Sequence, residues 1–296
     1  MKYENLTLDT ERALYGISNS SIENCRFDGA ADGESALKET KNIKVSGCYT
    51  NLRYPLWHVK TAEISDCTLT ENCRAALWYD NDISIYNSQL LGIKALRECE
   101  NVVLWKCTVN SPEFIWKCRS LTIDDVTIEQ SEYPFFEVHG AQIKKLSMKG
   151  KYSFQYCEDI FINDSTFDTK DAFWHSKNVT VRDSVIKGEY LGWYSENLHL
   201  INCKIIGTQP FCYCKNLVLE NCTMEDCDLA FEKSSVNVTV SGKIDSVKNV
   251  ESGLITVDEI GAVIMSPEFA DEDRLTIVCP KIGCKVKDES ELENCA

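Results

Sequence analysis

Apolar residues recur along this chain in pairs that enclose a third residue, as in Val102 and Leu104, Val179 and Val181, and Leu217 and Leu219. That spacing belongs to strands and not to helices. The pairs sit inside a larger unit, seen clearly in Asn42-Ile43-Lys44-Val45-Ser46-Gly47-Cys48: Asn, apolar, polar, apolar, two small or polar residues, then Cys or another small residue. Equivalent first positions are Asn19, Asn42, Thr61, Asp82, Asn101, Ser120, Asp159, Asn178, Asn197, Asn216 and Ser235. From Asp159 onward the starts lie 19 residues apart, and the 39 residues between Ser120 and Asp159 hold one degenerate unit starting near Gly140.

A period this short cannot hold a helical hairpin, and no fixed leucine framework of a leucine-rich repeat is present. Each unit is therefore expected to be one coil of short strands and turns, stacked in parallel on the next at about 4.8 Å. Connections between parallel strands are overwhelmingly right-handed. The pattern predicts an all-β protein, a single-stranded right-handed parallel β-helix of about a dozen coils. Residues 19–257 form the coils of a single domain, with residues 1–18 as an N-terminal cap and 258–296 as a C-terminal cap and tail.

Stacking places each repeat position above its own copy. The first position is an asparagine column whose amides can donate and accept along the stack. The sixth is a turn column of Asn24, Asp66, Asn87, Asp125, Asp164, Asp183, Asn202 and Asn221. The next is small and inward, with Cys25, Cys48, Cys67, Ser88, Cys107, Val126, Ser165, Ser184, Cys203 and Cys222.

Four sequence words carry a resemblance: Glu11-Arg12-Ala13-Leu14-Tyr15-Gly16, Tyr54-Pro55-Leu56-Trp57, Asp171-Ala172-Phe173-Trp174 and Gly188-Glu189-Tyr190-Leu191-Gly192-Trp193. Over nearly its whole length the chain resembles an uncharacterised bacterial family, a domain of unknown function, within the pectin-lyase-like β-helix superfamily. The superfamily implies carbohydrate substrates, but the calcium-binding aspartate cluster of its pectate lyases is not recognisable.

Composition narrows the partners. With 31 Lys and Arg against 46 Asp and Glu, the net charge is -15, which repels nucleic acid and anionic membranes. The N-terminal residues lack the apolar stretch of an export signal, and no apolar run approaches a transmembrane length. The sixteen cysteines, many at repeat positions, read as reduced, buried and structural, and a cytoplasmic location is expected. No cofactor or metal is expected, since no CxxC pair, phosphate loop, nucleophile elbow or HExxH helix occurs.

The candidate chemistry lies four residues before each first position, where Trp57, Trp78, Arg97, Trp116, Phe136, Gln155, Trp174, Trp193, Cys212 and Phe231 align. Five of the six tryptophans fall in this column. The preceding residues read as core, so strand alternation turns the tryptophans toward solvent. Their flat faces, repeated at roughly the length of a sugar unit, suit pyranose rings. An aromatic column can equally stack to stabilise the sheet.

The next residue in each coil is titratable: His58, Tyr79, Glu98, Lys117, Glu137, Tyr156, His175, Tyr194, Tyr213 and Glu232. It reaches solvent only if the strand ends or bends there. Candidate substrate-binding residues are Trp57, His58, Trp78, Tyr79, Trp174, His175, Trp193 and Tyr194. Carboxylate pairs for glycoside hydrolysis are Glu98 with Glu137 and Asp171 with Glu189, while Arg53 and Arg74 are candidate bases for a lyase. The functional expectation is oligosaccharide binding or turnover along the aromatic face, and the alternative is a non-catalytic cytosolic scaffold.

Overall fold

A computed structural model describes residues 1–31 and 33–294. The chain is an all-β parallel β-solenoid with coils of about 19 residues. Its contacts divide it into two compact units, Met1–Gly150 and Lys151–Ala296.

In the first unit the strand Lys2–Glu4 pairs in parallel with Ser18–Glu23, and that strand pairs with Lys41–Ser46. The ladder continues through Lys60–Ser65, Asn81–Tyr86, Glu100–Trp105, Arg119–Ser131 and His139–Gly150. A second, shorter ladder runs beside it from Thr7–Leu8 through Arg26–Phe27, Tyr49–Thr50, Thr68–Leu69, Gln89–Leu90 and Thr108–Asn110. The degenerate coil near Gly140 is present, and its glycine takes the left-handed φ of +76° that asparagine holds elsewhere.

In the second unit Glu158–Asn163, Lys177–Arg182, Glu196–Ile201, Leu217–Glu225, Ser235–Lys248 and Ser252–Ile264 pair in the same way. Ser252–Ile264 then carries Leu275–Val278 and Lys281–Val286 on its far edge.

Residues 1–18, read as a cap, contain strands that stack in register on the next coil. Residues 258–286, read as cap and tail, continue the ladder. Backbone pairing between coils needs only extended chain, so it persists where the side-chain pattern that marks the repeat has faded.

Stacked columns fill the interior, among them the following. One stacks Ile22, Val45, Ile64, Ile85, Leu104 and Ile123, all buried. Another is Leu56, Leu77, Leu96, Ile115 and Phe135 in the first unit, with Phe154 and Phe173 in the second. The third is the small inward column of Cys25, Cys48, Cys67, Ser88 and Cys107, where each backbone N–H of Cys25 and Cys48 reaches the sulfur one coil on, both at 3.4 Å.

The asparagine ladder forms as expected. Asn197 donates to Asn178 Oδ1 at 2.9 Å and accepts from Asn216 Nδ2 at 3.1 Å. In the turn column, Asn221 donates to Asn202 Oδ1 and Asn202 to Asp183 Oδ1, both at 2.9 Å. Residues of both columns sit in the left-handed region, where asparagine and aspartate carry less strain than other side chains. Cysteines from Cys25 to Cys279 are free thiols. Cys284 is a correction to the all-reduced reading, because it is disulfide-bonded. No described helix is long and apolar enough to cross a membrane.

Candidate functional site

The corner that carries the tryptophans is built from alternate left-handed residues. Tyr54, Leu56 and His58 have φ of 55°, 58° and 57°, and the next coil repeats this at Leu77 and Tyr79. Alternate N–H groups then point to opposite neighbours: Leu56 N bonds Ala36 O on one side, and His58 N bonds Trp78 O on the other, both at 2.9 Å. Because the chain bends at every second residue, ordinary strand alternation stops here. Leu56 goes inward, Trp57 lies half-buried along the corner, His58 is exposed and Val59 is buried again.

The indoles stack on one another. Trp57 and Trp78 are parallel within 1° at 5.0 Å, and Trp174 and Trp193 within 5° at 5.5 Å. Arg97 fills the column between Trp78 and Trp116, with its guanidinium 4.8 Å and 4.5 Å from their centroids and 3.0 Å from Glu113 Oε2. Trp116 meets Phe136 at 5.0 Å. Each of these five tryptophans also donates its indole N–H to a backbone carbonyl, at Ala75, Lys94, Tyr133, Tyr190 and Gln209. Trp78 thus has both faces covered and its one polar atom bonded, and it presents an edge to solvent.

The adjoining titratable column is the exposed one. His58 stacks on Tyr79 at 5.0 Å in the first unit. In the second, Tyr156, His175, Tyr194 and Tyr213 form one continuous stack with centroid spacings of 5.0, 5.0 and 4.8 Å. Tyr156 is 49% exposed and Tyr194 is 46% exposed. This stack is bordered by a second column of alternating charge, Glu158, Lys177, Glu196 and Lys215, each paired in register with the next.

The proposed carboxylate pairs differ from each other. Glu98 and Glu137 lie on the exposed column two rungs apart, with Lys117 between them and its Nζ 3.6 Å from Glu137 Oε2. Together with Glu100, Arg119 and His139 they line a shallow depression. Asp171 and Glu189 are on adjacent coils, the Asp171 N–H bonding Glu189 O at 3.0 Å. Asp171 is 5% exposed and burial raises its carboxyl above the usual range, while Glu189 is exposed and held by Lys170 at 3.0 Å. Of the two candidate bases, Arg53 is engaged by Glu34 Oε1 at 2.8 Å, and Arg74 is exposed at the end of a short turn. Among the described residues no group of three or more His, Cys, Asp or Glu side chains is placed to hold a metal. Burial pushes the Cys214 and Cys227 thiols up to about 12, which suits inert core groups.

Two features escaped the sequence. Asp80 occupies the inward position that Val59 and Cys99 take on neighbouring coils and is 2% exposed. Its Oδ1 accepts the Val59 N–H at 2.8 Å, its Oδ2 has no partner, and burial holds the carboxyl well above the usual range. The other is Trp105, the one tryptophan outside the column, which stands 37% exposed on the strand face.

These features define a parallel β-solenoid with a stacked aromatic corner. The chain belongs to the family described as protein of unknown function (DUF3737), whose model matches residues 1–278. No curated protein matches it. Among solved structures it is similar to full-length QnrB1, a plasmid-mediated fluoroquinolone resistance protein, at 13% identity and a TM-score of 0.31, covering 68% of this chain and 93% of that one. It is also similar to tailspike protein 3 of bacteriophage CBA120, at 12% identity and a TM-score of 0.27, covering 96% of this chain and 51% of that one. Neither likeness bears on what this chain binds.

Proposed function

We propose that this protein binds an extended oligosaccharide along the exposed edge of the Tyr156–His175–Tyr194–Tyr213 stack. The observation that carries the reading is the rung spacing of 4.8 to 5.0 Å, close to the length of one pyranose unit, with a polar ring edge on every rung. Phenol and imidazole groups both donate and accept, which matches sugar hydroxyls, and the neighbouring Glu and Lys column adds charged partners. An extended peptide fits the spacing less well, because its side chains on one face repeat at about 6.7 Å. The indoles support the face from behind and are not the platform. Placement in the pectin-lyase-like superfamily and a cytoplasmic setting are part of the same proposal, the latter supported by the many free thiols, Cys284 apart.

A glycan array and titrations with soluble hexasaccharides test this. Binding that is lost in His175→Ala is the expected result, and an array without hits removes the proposal. A second reading, hydrolysis at Asp171 and Glu189, is favoured by their contrasting environments, one buried and one ion-paired on the adjacent coil. New reducing ends released by the native protein and not by Asp171→Asn support it, and bound but intact saccharide refutes it.

A further inference from the structure

Trp105 differs from the other five tryptophans in each respect that made them structural. It lies on the outward face of Glu100–Trp105, directly between Tyr86 on one coil and Asp124 on the next. Its exposed ring meets Tyr86 edge-on at 6.4 Å, and among the described residues its indole N–H meets no acceptor. Asp124 Oδ1 is covered and accepts no hydrogen bond. The Lys106 ammonium sits over the Trp105 ring, 4.4 Å from its centroid.

The same chain shows what completes such a group. At the corner, the guanidinium of Arg97 stacks on Trp78 and Trp116 while bonding the Glu113 carboxylate. Indole plus carboxylate there hold a planar cation, because a guanidinium can cover a π face and direct its in-plane N–H groups to an acid. On the strand face, indole and carboxylate stand one coil apart without the guanidinium, and a lysine rests on the ring instead.

We propose that Tyr86, Trp105 and Asp124 form a docking site for an arginine side chain of a partner protein, with Lys106 as a built-in occupant that must swing aside. An arginine is favoured over a neutral ligand because the ring already attracts a cation, the Asp124 carboxylate stands in register beside it, and the chain carries a net charge of -15. This site is in the first unit and is independent of the oligosaccharide reading.

The test is a titration of the full-length protein with a capped arginine amide, following the six indole N–H resonances, with Trp105 assigned through Trp105→Phe. The expected result is a saturable shift confined to Trp105, absent with sodium chloride at equal ionic strength. Lys106→Ala should tighten binding about fivefold by removing the competitor, and Asp124→Asn should weaken it by a similar factor. If Asp124→Asn is unstable, Tyr86→Ala supplies the same reading. No selective shift at Trp105, no tightening in Lys106→Ala, or a stronger response to a neutral hexasaccharide would each overturn the assignment.

Discussion

Single residues in this solenoid are set by which neighbour the coil above and below supplies. Asp80 shows the cost of a mismatch. Its column is otherwise apolar or thiol at Val59, Cys99 and Cys118, and serines fill it at Ser176 and Ser195 with at most 1% exposure. Burial raises a carboxyl there well above its usual range. The sign follows from proton linkage: the folded chain retains a proton that the unfolded chain releases near about pH 4. Stability present below that value is lost as pH rises toward the elevated folded value. Asp80→Ser should therefore raise Tm by about 3 °C or more at pH 8, with the gain vanishing near pH 4, as read by thermal melts across that range. Nothing in the sequence marked Asp80, because an aspartate next to Tyr79 reads as ordinary surface charge until the left-handed corner turns it inward.

At the scale of columns, the ladders make separable contributions. Trp78 loses two stacking partners and a hydrogen bond to Lys94 O when truncated. Trp78→Ala should cost about 3 kcal/mol in denaturant unfolding, whereas exposed Trp105→Ala should change stability by no more than about 0.5 kcal/mol. Asn197 offers a cleaner dissection, since it combines a φ of 54° with two side-chain hydrogen bonds. Asn197→Ala should cost about 2 kcal/mol and Asn197→Gly about 1 kcal/mol less, because glycine keeps the left-handed conformation without strain. The columns themselves were legible, since a fixed period converts directly into vertical neighbours. The direction of the tryptophans was not. Alternation predicts that the residue after Leu56 faces solvent, but successive left-handed residues at Leu56 and His58 lay the indole along the corner and expose the imidazole.

For the molecule as a whole, parallel stacking at one spacing decides which groups remain unpaired. Backbone donors are consumed between coils, so the proposed recognition falls to side-chain edges that repeat along the stack. The coils were readable to Val257 and not beyond, although strands continue to Val286, because pairing there no longer depends on the Asn and Cys signature. The candidate residues were legible as two adjacent columns, and only the folded chain separates the half-buried indole column from the exposed one. Trp105 escaped because it lies outside any column of its own kind.

The most direct test of this separation compares hexasaccharide binding by calorimetry in Tyr194→Ala and Trp78→Ala, with melting measured on the same samples. Tyr194→Ala should lose binding by about tenfold while keeping its Tm, and Trp78→Ala should lose Tm while keeping binding. Undiminished binding in Tyr194→Ala, or binding abolished by Trp78→Ala in a still-folded protein, would contradict the assignment of the outer rings to recognition and the indoles to support.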